Sequence, residues 1–282
     1  MVRRRFYKEL QGDLALLSAR DLQGPLNEIA SGTSSFGPAQ EWYDWYHYLL
    51  GEVLPRSQQH FVYPLLESLI TGFIALYPNG VGSAPYDQFR DDALRTIGKC
   101  IMDEHCWNGP DIFVEPVLPR SNSNPAHVWG WWGASSDFTA SMFFCLKYLP
   151  ASQVQDWLES VLEIASPHWR AQIMVWLVGA HDLLTGRIDW PSELHENAYP
   201  SVTWDWSHCL RPELAATDGS GLPAMTSLLS ENSRARALEV VHGYFTEDTY
   251  LDWLFSIATV SSLEEELLGI PSSFETLYVR TQ

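Results

Sequence analysis

The residues best suited to chemistry come in adjacent pairs. His105-Cys106 and His208-Cys209 together supply four side chains of the type that hold zinc. Neither pair belongs to a CxxC motif, and ligand types without ligand spacing do not define a metal site. His181-Asp182 joins an imidazole to a carboxylate on a helical segment. Next to Gly179 and Ala180, it also reads as a helix C-terminus, where a histidine complements the helix dipole. Asp91-Asp92 opens a helix after Phe89 and Arg90; such a pair suits magnesium, and equally suits the positive end of a helix. The separation of two carboxylates that would serve glycoside hydrolysis is spatial and cannot be read along the chain. The sequence contains no Walker loop, no GxGxxG and no GxSxG, and no cysteine lies in a recognisable nucleophile setting.

Three resemblances follow from these pairs. The His-Cys pairs, near Trp and Gly, resemble the zinc sites of lanthionine cyclases, but the accompanying motifs of that family do not match. His181-Asp182 resembles the signature of the all-helical HD metal-dependent phosphohydrolases. That likeness implies an upstream His and a downstream Asp on facing helices; His47, His60 and His168, with Asp218 or Asp252, are the choices, and no spacing selects among them. Asp91-Asp92 resembles the Asp-rich motif of terpene synthases, yet Arg95 and Thr96 stand where the third carboxylate is required, and the second magnesium motif is missing. The sequence therefore assigns no catalytic residue, no metal ligand and no cofactor.

The elements that must position these residues are helical. Val154, Trp157, Leu158, Val161, Leu162 and Ala165 recur at the i, i+3, i+4, i+7 spacing of one buried face, with Ser152 and Gln155 as a capping box. The next helix opens on Ser166-Pro167 and lines Trp169, Ile173, Trp176, Leu177, Ala180 and Leu184 on one side before Gly186. Upstream, Phe138, Met142, Cys145, Leu146 and Leu149 form another stripe ending at Pro150. Further helices are expected over Phe6–Ala19, Trp42–Leu54, Phe61–Tyr77, Phe89–Met102, Ala224–His242 and Glu247–Val260, then a short one capped by Ser262 and Glu265. The best strand candidate, Ile112–Leu118, is weakened by Pro116. Short turns between helices favour antiparallel neighbours.

The expected fold is all-α, as antiparallel hairpins stacked in a short solenoid or as an irregular bundle. A cassette supports stacking: Tyr148, Asp156, Trp157, Leu158 and Ser160 recur without gaps as Tyr244, Asp252, Trp253, Leu254 and Ser256. In this pairing of helices the chain resembles HEAT-like and armadillo-like solenoids, over residues 60–265. Residues 1–58 read as an N-terminal helical cap and 59–282 as a hairpin array within one helical domain.

Two interruptions break the array, 105–134 and 186–223, each rich in Gly, Pro and Trp. Three helices lie between them, an odd number, so they leave the stack at opposite ends and need not share a site. Long loops often carry function, and Trp is a strong interface anchor. Trp129, Trp131, Trp132, Asp189, Trp190, Glu193, Glu196, Trp204, Asp205 and Trp206 are accordingly the candidate binding residues.

Charge sets the class of partner. The 282 residues carry a net charge of −18, which repels phosphate backbones and so argues against nucleic acid. It suits a basic protein, because opposite potentials steer encounter. The expectation is an acidic helical protein-binding module, in the manner of an inhibitor or immunity protein that sequesters a basic toxin nuclease; the alternative is an HD-like hydrolase. Arg3 to Arg5 precede a stretch holding Lys8, Glu9 and Asp13, which is not a secretory segment, and the apolar run Ile173–Ala180 is too short to span a bilayer. With four sparse cysteines, Cys100, Cys106, Cys145 and Cys209, reduced and packed as small apolar groups, a soluble cytoplasmic setting is expected.

Overall fold

The computed structural model describes residues 12–13, 16–17, 21, 24–25, 28, 42–50, 65–82, 85–98, 107–108, 111–112, 131–194, 202–211 and 226–279, with backbone alone at 65–66, 96, 107–108, 111–112, 131–135, 262 and 265. Helices dominate them, as the periodicity requires. They are α1 (42–50), α2 (Leu65–Leu76), α3 (Phe89–Ala93, running into a π-helical turn Leu94–Gly98), α4 (Trp131–Tyr148), α5 (Ala151–Leu162), α6 (Pro167–Gly179), α7 (His181–Leu184), α8 (Glu231–Tyr244), α9 (Glu247–Ala258), α10 (Ser261–Leu267) and α11 (Ile270–Tyr278). Two 3-10 turns, Pro191–Glu193 and Asp205–Leu210, lie in the second interruption. Among the described residues the one extended pairing is a two-residue antiparallel ladder, β1 (Trp107–Asn108) with β2 (Asp111–Ile112). Ile112 is thus the only residue of the expected strand that lies among the described residues; 113–118 lie outside them, as does most of Phe6–Ala19.

Central to the packing is α6. Pro167, His168, Trp169, Ala171, Gln172, Ile173, Met174, Val175, Trp176 and Leu177 are all buried, so the helix is covered on every side and not along one stripe. Its start follows the sequence: the Ser166 side chain accepts from Trp169 N at 3.5 Å, and Pro167 occupies the first turn, where its missing N–H costs no hydrogen bond. It stops at Ala180, earlier than Gly186, and α7 follows as a separate turn. The cover comes from α4, α9, α10 and α11. Close packing also joins helices distant in the chain, α2 with α4 and α5 with α8.

The cassette has a structural counterpart. Tyr148, at the end of α4, donates its hydroxyl to Tyr77 O, just past the end of α2, at 2.7 Å. Tyr244, at the end of α8, donates to Leu162 O, the last residue of α5, at 2.8 Å. Each tyrosine satisfies a carbonyl at the C-terminal end of the helix its own helix packs against, where carbonyls lack intrahelical partners. Trp157 and Trp253 are both buried. Beneath α9, Arg170 sits over the Trp253 ring at 5.6 Å and pairs with Asp252 at 3.1 Å.

Several caps differ from expectation. Helix α5 starts one residue before Ser152, with Pro150 as N-cap, and Gln155 reaches forward to Glu159 Oε1 at 2.9 Å in place of a capping box. Helix α8 starts at Glu231 and not at Ala224, because the Ser230 side chain accepts from Ser233 N at 3.1 Å and fixes the first turn there. Helix α10 follows Val260, which places Ser262 inside it.

The second interruption is held against the helices by close fit. A Cβ on Gly179 would lie 2.3 Å from Val202 Cγ2 and 2.8 Å from Val202 Cβ. Gly179→Ala should therefore cost about 1–3 kcal/mol. Urea unfolding of Gly179→Ala, Val202→Ala and the double variant should return a coupling energy of roughly 0.5–3 kcal/mol in the direction of rescue.

Candidate functional site

Among the described residues, the most unusual polar chemistry lies where the second interruption meets α2 and α4. Glu67 stands in the first turn of α2 and Asp137 in the first half of α4, and both are fully buried. Glu67 N donates to Asp137 Oδ1 at 2.7 Å, so a carboxylate 70 residues away satisfies one of the N–H groups a helix start leaves open. Glu67 Oε1 in turn accepts from Trp206 N at 2.8 Å, at the start of the 3-10 turn Asp205–Leu210. Two further ties fasten this segment. Trp204 Nε1 donates to Thr71 Oγ1 at 2.9 Å, and the hydroxyls of Ser136 and Thr203 are 3.1 Å apart. Thr71 itself donates to Glu67 O at 2.8 Å, so α2 and the segment share one hydrogen-bonded chain.

The second interruption thus returns to the start of α4, the helix that follows the first. Four helices, α4 to α7, and not the expected three lie between the interruptions, and Val202–Leu210 folds back across α2 and α4. Glu67 Oε2 and Asp137 Oδ2 are buried without a hydrogen-bond partner among the described residues. Burial first, and then the Asp205 charge, push the Glu67 carboxyl up to about 7, against the Trp206 N–H, the Ser136 hydroxyl and the Asp205 N–H, which favour the ionised form. Burial, with the Glu67 carboxyl beside it, pushes Asp137 up as well. Burial and the Glu67 charge thus both oppose ionisation of Asp137, which favours its neutral form.

The candidate binding residues are placed unevenly. Trp204 is buried and stacked 6.1 Å from Phe143, so its indole is a core anchor and not a surface contact. Trp190 is buried too. Glu193 Oε2 accepts from Asp189 N and Trp190 N at 3.2 and 3.0 Å, which gives it a capping task. Asp189 pairs with Arg234 at 2.9 Å and ties the loop to α8. Asp205 is exposed and Trp206 half-exposed, on the outer side of the 3-10 turn beside His208. Trp131 and Trp132 begin α4, their side chains outside the description, while Trp129 and Glu196 lie outside the described residues altogether. The structure therefore gathers Trp204, Asp205 and Trp206 around Glu67, and packs the turn Pro191–Glu193, which follows Asp189 and Trp190, against the turn Asp205–Leu210, with Arg211 Nε donating to Ser192 Oγ at 2.6 Å.

The other pairs have structural partners. His181 Nδ1 lies 3.0 Å from the Tyr278 hydroxyl, and Asp182 pairs with Arg187 at 3.0 Å. Asp91 pairs with Arg90 and Asp92 with Arg95. His208 Nε2 and Cys209 Sγ are 3.4 Å apart, and burial pushes the Cys209 thiol up to about 11. His105 and Cys106 lie outside the described residues. Among the described residues no three His, Cys, Asp or Glu side chains gather as metal ligands would. No helix among them is long and apolar enough to cross a membrane.

A surface that composition and periodicity missed lies on α9. Phe255 is 73 % exposed and Leu251, one turn earlier, 41 % exposed. Glu247, Asp248 and Asp252 are exposed on the same helix. Residues 237–279 hold eight carboxylates and no Lys or Arg, so the negative charge concentrates here. The readable signal was that 43-residue gap in basic residues. A groove of about 560 Å³ between α5 and α8 is lined by Glu159 and Glu163, with Arg236 paired to Glu239 at 2.7 Å.

No protein-family model matches this chain, nor does any curated protein or any solved structure.

The indole assignments make a direct test. Trp204→Phe loses the bond to Thr71 and should cost about 1–2 kcal/mol. Trp206→Phe keeps its backbone tie to Glu67 and should stay within about 0.5 kcal/mol. Chemical unfolding of the two variants measures the difference.

Proposed function

We propose that the protein is an acidic helical module that binds a basic protein partner through the outer face of α9. The observation that carries this reading is the exposed Leu251–Phe255 pair, one helical turn apart, on a helix whose exposed charges are all carboxylates. Apolar contact at the centre with charge around it is the usual division of labour in an interface, in which a few large side chains dominate affinity and the rim steers approach. Among the described residues most large apolar side chains elsewhere are buried, Trp253 and Tyr250 on the inner side of this same helix among them. The partner fitting this face presents an apolar side chain flanked by Lys or Arg.

Sequestration of a basic enzyme, as an inhibitor or immunity protein would do, is one form of this activity; net charge supports it, and no residue selects it over an adaptor role. The interruption residues Asp205 and Trp206 provide a second acidic and aromatic contact on the same molecule.

A synthetic amphipathic peptide of Lys and Leu, followed by fluorescence anisotropy, is a suitable probe. Phe255→Ser leaves net charge unchanged and should weaken binding about tenfold or more, with folding stability shifted by less than about 0.5 kcal/mol. Asp248→Asn with Asp252→Asn should lower the association rate and flatten its salt dependence. Equal binding by wild type and Phe255→Ser would sink the assignment to α9.

A further inference from the structure

We propose that Glu67 and Asp137 form a proton-operated latch that holds the segment Val202–Leu210 on α2 and releases it when both carboxyls ionise. The argument starts from placement. Both side chains are fully buried, their nearest hydrogen-bonded contact runs from Glu67 N to Asp137 Oδ1, and each keeps one buried oxygen without a hydrogen-bond partner among the described residues. No basic side chain among the described residues pairs with either carboxyl. A second negative charge in this place is opposed by desolvation and by the first.

The charged and titratable groups on the elements packed against α2 are few. Helix α4 brings Asp137, with Lys147 at its far end holding Leu228 O and Tyr148 holding Tyr77 O. The 3-10 turn brings Asp205, His208 and Cys209; Asp205 is exposed and repels Glu67. The π-helical turn brings Arg95, which is exposed and paired with Asp92. Helix α1 brings Tyr46, whose hydroxyl donates to Leu69 O at 2.6 Å, together with Tyr43 and His47 at the Tyr77 hydroxyl, beyond the far end of α2, and Asp44 and Tyr48. None of these neutralises the pair.

Among the described residues, the segment itself lies between Glu67 Oε1 and the surface. Trp206 N is bonded to Glu67 Oε1, and its ring is only half-buried. Water reaches an ionised pair most readily if this segment lifts. Lifting breaks three ties, Trp206 N to Glu67, Trp204 Nε1 to Thr71, and Ser136 to Thr203, and it withdraws the Trp204 indole from Phe143. The Glu67 carboxyl is raised in the folded state, from an ordinary value of 4.5 to about 7. Its contribution to the docked state is therefore complete below about 4.5 and is lost as pH rises through about 7. Asp137 is raised and acts in the same direction.

Amide hydrogen exchange of the full chain between about pH 5.5 and about pH 8.5, corrected for intrinsic rates, tests the latch. Protection of peptides covering 202–210 should fall about tenfold or more across this range, while α6 stays protected. Glu67→Gln keeps an acceptor for Trp206 N and cannot ionise, so its protection should be flat. A flat wild-type profile, or a wild-type slope retained in Glu67→Gln, overturns the proposal. Infrared titration of the wild type gives a reading independent of any variant. A band from a protonated buried carboxyl should be present at about pH 6 and lost by about pH 8.5, and its absence at the lower value also overturns the latch.

Discussion

A helix without a polar face has to be enclosed, and α6 is that helix. Its thirteen residues place Trp169, Ile173, Met174, Trp176 and Leu177 in different directions, all into protein. Four other helices meet this demand, α4 on one side and α9, α10 and α11 on others. Burying such side chains stabilises by about 1.5–3 kcal/mol each, so the enclosure is the main organising contribution in this half of the chain. It also explains why helices far apart in sequence become neighbours: the C-terminal elements are recruited as cover.

Enclosure has a polar counterpart at the start of α2. There the open N–H groups of one helix and one 3-10 turn are met by carboxylates buried with them, Asp137 for Glu67 N and Glu67 for Trp206 N. Each bond is favourable where an unmet buried donor would cost about 1–3 kcal/mol. Placing two acids together, however, sets their ionisation against their packing. Good satisfaction of backbone groups and poor tolerance of charge thus coincide at the same atoms, and the segment Val202–Leu210 rests on that balance.

The helices were legible where one residue decides a local question. Ser166-Pro167 announces the start of α6, and α9 starts at Glu247 as expected, where the structure adds a Thr246 cap accepting from Thr249 N at 3.3 Å. Caps failed where two candidates compete, as Ser152 did against the turn set by Pro150. The core role of Trp204 was hidden, since an indole in a Gly- and Pro-rich stretch looks the same whether it folds inward or stays out. The Glu67–Asp137 pair was out of reach for another reason. In the sequence, Glu67 lies inside the expected helix Phe61–Tyr77, beside the apolar residue Leu66, and Asp137 is the polar neighbour of Phe138. Only the tertiary approach of α2 and α4 makes them partners. Phe255 belongs to a helix expected from the sequence, but its outward position, opposite buried Tyr250, Trp253 and Ile257, is seen only in the structure; an exposed large apolar side chain of this kind points to a surface.

The 70-residue span between Glu67 N and Asp137 Oδ1 bears on the order in which the molecule assembles. Contacts between distant parts of a chain form only after the intervening loop has closed, and closure slows folding. Helix α2 therefore gains this support only once α4 has been made and has docked. During synthesis from the N-terminus, the first third of the protein leaves the ribosome with that amide still waiting for its acceptor.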